Sequence, residues 1–106
     1  MATIMKKTEA LRTARQYVSA PCGSRTSWSV YAPYRMTDLD GASSSAHYDS
    51  YRKARLGAAE TVAQIALHLM GEQDAIDWTW WAVEDYAVSA KQILESALAR
   101  SRRWRE

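Results

Sequence analysis

The chain has 106 residues, a formal net charge of +2, and hydrophobic and charged contents of 47% and 25%, which fits one globular domain able to bury a core without staples. A single cysteine, Cys22, excludes an intrachain disulfide and a thiolate zinc cluster, and no window approaches the ~18 apolar residues of a membrane span. Eighteen alanines against four glycines and two prolines favour helix. The expected fold class is therefore all-α: one domain over 1–106, with three principal helices and a long, partly irregular connection after the first.

Thr3 is the expected N-cap of the first helix, 4–19, in which Ile4, Leu11, Ala14 and Val18 recur at helical spacing. Pro21 and Gly23 stop it. The opening "MATIMKKTEALRTARQY" is charged from Lys6 onward and lacks the apolar run of a secretory leader, so the expected compartment is the cytoplasm.

Residues 20–45 hold both prolines, two glycines and many serines, and read as a connection. Within it "SWSVYA" alternates Trp28, Val30 and Ala32 against Ser27, Ser29 and Tyr31. That is one short strand or merely extended chain, and one strand makes a sheet only if it pairs across a dimer.

The second helix is expected over 46–70, with Gly71 as its left-handed stop. Tyr48, Tyr51, Ala58, Val62, Ile65, Ala66 and Leu69 form its apolar stripe, and Gly57, Glu60, Gln64 and His68 fall opposite. Asp74 then caps a third helix, 75–103, joined to the second as an antiparallel hairpin by the short "GEQD" link.

Charge and aromatic residues concentrate in that third segment. Between Glu72 and Glu95 six acids meet one base, a balance of −5, which leaves +7 on the rest of the chain. On a continuous helix at 100° per residue, Trp80 joins the inward stripe of Ile76, Val83, Ala87, Ala90, Leu94 and Ala97. Trp78 and Trp81 fall outside it, with Asp77, Glu84 and Asp85, and Val88 lies on the same flank. Either the 20–45 connection covers this face with Trp28, Val30, Tyr31 and Tyr34, or it is a protein-binding surface. In the second case Trp78, Trp81 and Val88 are the anchors, and Asp77, Glu84 and Asp85 form a rim that steers a basic partner.

Catalytic and metal chemistry are poorly represented, so the expectation is a non-enzymatic protein without a metal or cofactor. Two histidines and one cysteine have no metal-ligand spacing. Cys22 and His47 have the chemistry of a nucleophile and a base but no local signature, and no glycine-rich phosphate loop is present. The end "RSRRWRE" sets Arg100, Arg102, Arg103 and Arg105 around Trp104. Arginines beside an indole suit a nucleic-acid contact; equally, they complement the negative end of a helix.

A short, cysteine-poor helical chain with an acidic-aromatic face is similar in size and character to the small anti-CRISPR proteins encoded by phages and mobile elements, in particular those directed at type I-E Cascade. The likeness spans the whole chain and rests on no motif. It implies an inhibitor that works in the bacterial cytoplasm by binding a subunit of the CRISPR effector, its acidic side lying where DNA would lie. The alternative is a small nucleic-acid-associated regulatory protein using the basic C-terminal tail. No membrane partner is expected.

Overall fold

A computed structural model describes residues 4–32, 45–72, 74–76 and 88–105, the side chains of Ser45 and of residues 102–105 excepted. Its elements, in chain order, are helix α1 (Lys7–Tyr17), strands β1 (Cys22–Ser24), β2 (Ser27–Tyr31) and β3 (Ser45–Tyr48), helix α2 (Tyr51–Leu69) and helix α3 (Ala90–Arg105). The fold is mixed α and β. The all-α expectation fails because the expected connection 20–45 contains a β-hairpin, and because a third strand, 45–48, takes the end of that connection and residues 46–48 of the expected second helix.

The sheet is an antiparallel meander in the order β1-β2-β3, and its partners lie within the chain. Cys22 faces Ser29 and Ser24 faces Ser27, with Arg25 and Thr26 as a two-residue turn between them. Arg25 holds φ at 57°, where glycine is usual, a cost of about 1–2 kcal/mol. The Trp28 indole Nε1–H steadies the turn by donating to the Arg25 carbonyl at 2.9 Å. On the other side of β2, Trp28 pairs with Tyr48 and Ser29 with His47. The alternation seen in "SWSVYA" therefore holds: Trp28 and Val30 turn inward while Ser27 and Tyr31 are exposed.

Helix α2 begins at Ser50, whose Oγ accepts from the Lys53 amide at 3.2 Å. It ends in a Schellman closure: the Glu72 amide reaches Leu67 O at 2.9 Å and the Gly71 amide His68 O at 3.0 Å, with Gly71 at φ 73°. Residues 62–67 are all buried, so this helix has no solvent face there. It meets α1, α3, β2 and β3, which makes it the central element. One side joins Ala10, Leu11 and Ala14 of α1 and Ile93, Leu94 and Ala97 of α3 in the main cluster. The other side carries the sheet, where Val30, Ala32 and Ala54 are buried outside that cluster. Gly57, expected on a polar face, is buried under the sheet, and Gln64 is buried as well.

The expected third helix 75–103 begins later. A single 3-10 turn at 74–76 buries Ala75 and Ile76, and α3 starts at Ala90. The start is a reciprocal capping box: the Ser89 amide donates to Gln92 Oε1 at 2.9 Å, and Ser89 Oγ accepts from the Gln92 amide at 3.3 Å. Val88 and Ser89 are not helical. A helical phase counted from Asp74 therefore does not run through to α3. The Thr3 cap and residues 77–87 lie outside the described residues.

Two stability predictions follow from these contacts. A methyl at position 57 would run into the Tyr48 phenol, so Gly57→Ala destabilises the fold by about 1–3 kcal/mol, the reverse of the gain usual for such a change inside a helix. Ser89→Ala costs about 1 kcal/mol by removing the cap of α3. Urea unfolding of both variants checks sign and size.

Candidate interaction surface

The junction of the sheet and α2 brings together side chains that lie far apart in sequence. The Trp28 and Tyr51 ring centroids are 5.0 Å apart with the planes tilted by 57°, and the Arg55 guanidinium carbon lies 5.9 Å from the Tyr51 centroid. Tyr51 and Arg55 stand one helical turn apart on α2, the spacing at which side chains meet. Arg25 joins from the hairpin turn through the bond from Trp28. Tyr51 is 47% exposed, although the sequence pattern put it on a buried stripe. Arg25, Arg52, Lys53 and Arg55 are all exposed at this end. The Asp49 carboxylate pairs with Lys53 at 3.0 Å.

Beneath this surface, the Tyr48 ring crosses α2 at Gly57, and Glu60 lies one turn further along. Burial pushes the Glu60 carboxyl up to about 7. Burial also raises the Tyr48 phenol, and the Glu60 charge adds to that rise. Glu60 is only partly covered, so water screens much of its charge.

The outer face of the sheet is polar. Cys22, Ser29 and His47 occupy one row across the three strands. Ser29 Oγ and His47 Nδ1 share a hydrogen bond of 2.8 Å, while the Cys22 thiol donates to Ala20 O at 3.3 Å. Cys22 and His47 thus stand two strands apart, about 10 Å, with Ser29 between them. Their row is a cross-strand polar ladder, and the imidazole is turned to the serine, not the thiol.

Trp78, Trp81, Asp77, Glu84 and Asp85 lie outside the described residues. Val88 is half-buried and packs against the main core cluster. Arg100 is half-buried and its neighbour Ser101 is buried, so α3 still packs on the body at that point. The backbone of Arg102, Arg103, Trp104 and Arg105 continues the helix. Lys7 of α1 pairs with Glu95 of α3 at 3.1 Å beside an open depression of about 310 Å³ that Met70, Leu98 and Ala99 also line. The Tyr51–Arg55 pair was missed, although an aromatic residue four positions before an arginine was its signal.

No family model, curated protein or solved structure matches the chain.

The burial of Glu60 yields a pH dependence whose sign can be worked out. Its folded pKa lies above the ordinary 4.5, so the folded state holds the proton more tightly than the unfolded chain. That contribution is fully present below about pH 4.5 and is lost as pH rises through about 7. The parent should lose stability across this window relative to Glu60→Gln, which cannot ionise. Urea unfolding of both proteins at several pH values measures the difference.

Proposed function

We propose that this chain acts by binding a protein partner, and that it is an inhibitor of the anti-CRISPR kind that blocks a type I effector through the acidic-aromatic segment 77–88. One observation carries the reading: the segment is held to the body at both ends. Ile76 before it is 4% exposed, Ala90 after it is 8% exposed, and Val88 packs on the main cluster. A segment tethered in this way loses less entropy on docking than a free tail. It also carries the residues that most often anchor interfaces, with Trp78 and Trp81 as anchors and Asp77, Glu84 and Asp85 as a steering rim. The partner is a subunit of a bacterial CRISPR effector, met in the host cytoplasm. That no described helix is long and apolar enough to cross a membrane is compatible with this location.

The decisive experiment measures protection of phage DNA from a type I-E effector, with thermal unfolding of each variant in parallel. Trp81→Ala should weaken inhibition about thirtyfold, the loss typical of a hot-spot anchor worth ~2 kcal/mol, and leave the unfolding midpoint unchanged. Glu84→Lys with Asp85→Lys should slow association and alter its salt dependence. Folded variants that inhibit as well as the parent would dismiss the segment as the interface. A parent protein that neither binds nor inhibits the effector would dismiss the inhibitor reading itself.

A further inference from the structure

The cationic-aromatic surface at the β1–β2 turn and the first turns of α2 plays no part in the inhibitor reading above. Three features set it apart from an ordinary solvated charge cluster. Its cations come from two separate elements, Arg25 from the hairpin and Arg55 from the helix, and the Trp28–Tyr51 contact joins those elements. Arg25 is exposed on the two-residue turn, at the positive φ of 57° that such turns require. Tyr51 is 47% exposed, with the Trp28 ring centroid 5.0 Å from its own and the Arg55 guanidinium carbon 5.9 Å from it.

We propose that this surface binds single-stranded nucleic acid, with Arg25 and Arg55 on backbone phosphates and the Tyr51–Arg55 pair as the platform on which a base stacks. Phosphodiesters match the exposed Arg25 and Arg55, and guanidinium groups present the paired donors that phosphate oxygens accept. An acidic peptide would use the same charges, whereas an unpaired base also stacks flat on the exposed ring. A duplex keeps its bases stacked on one another and offers no free base to the ring. Recognition of this kind follows the backbone and tolerates many sequences.

The site is tested on the isolated full chain, without an effector, so its failure and that of the inhibitor reading are independent. The probe is an end-labelled oligothymidylate of about a dozen nucleotides, titrated by fluorescence anisotropy at ~50 mM and ~200 mM salt. Arg25→Gln combined with Arg55→Gln should weaken binding about tenfold or more and flatten the slope of log affinity against log salt by roughly 1.4, the share of two phosphate contacts on a single strand. Tyr51→Leu should weaken it about fivefold or more, and Tyr51→Phe, which keeps the ring, should bind as the parent does. Arg12→Gln with Arg15→Gln removes the same charge from exposed positions of α1 and should cost less than about threefold. Thermal unfolding establishes that each variant is folded.

Four results would overturn the proposal. The parent does not bind at the lower salt. The α1 control loses as much as the paired variant. Neutralising Arg102, Arg103 and Arg105 removes all binding while the Tyr51 and Arg25/Arg55 variants retain it. Polyglutamate or vesicles of anionic lipid compete as well as the oligonucleotide does, which would make the surface a docking site for acidic proteins or membranes.

Discussion

Tyr48 lies against α2 at the one position in that helix's middle turns where no side chain stands, and its phenol takes the space that a Cβ on residue 57 would fill. The rest of the sheet follows from this close approach. With β3 seated on α2, β2 is drawn in by register, so Trp28 and Val30 face the helix. β1 follows through the Arg25–Thr26 turn. A glycine inside a helix costs about 1 kcal/mol against alanine. Here that cost is offset by the apolar area of the ring it admits, at about 25 cal/mol per Å².

The electrostatic features of this side of the molecule lie around the same contact. Glu60, one turn past Gly57, is raised to about 7 by burial, and its charge in turn raises the Tyr48 phenol. Seating the sheet also brings Trp28 onto Tyr51, and with Trp28 comes the hairpin turn that carries Arg25. A carboxyl with suppressed charge below and exposed arginines above leave this end of the molecule positive. The acidic stretch lies elsewhere in the chain, from Glu72 to Glu95. The net charge of +2 is the sum of a positive end and an acidic stretch of sequence, and describes neither.

Helices α1 and α3 are held differently. They bury alanines and leucines against the far side of α2, where small side chains let helix axes approach closely, and an exposed Lys7–Glu95 pair joins them at the rim. Such a pair contributes about 0–1 kcal/mol. The burial of Ile65, Leu67, Ile93 and Leu94 dominates this side. Gly71 closes α2 and the Ser89–Gln92 box opens α3 by local hydrogen bonds. Segment 77–87 lies between these two stops.

What the sequence determined by itself was local. Apolar spacing marked α1 at Leu11 and Ala14, the body of α2 at Val62, Ile65 and Ala66, and the inward face of α3 at Ala90, Leu94 and Ala97. Gly71 marked the end of α2, because left-handed backbone has a residue preference readable without any partner. The capping box at Ser89 was equally local but was overridden by a longer apolar periodicity that ran through it. The sheet could not be read in the same way. Its outer strands, "CGS" and "SAHY", carry no alternation strong enough to announce themselves, and they become strands only because β2 is available to pair with them. The exposed Tyr51 and the buried Gly57 share that origin. Each sits on α2 at a position whose environment is set by strands outside the helix, Tyr48 of β3 over Gly57 and Trp28 of β2 against Tyr51. No pattern internal to a helix records which of its faces a distant strand will cover.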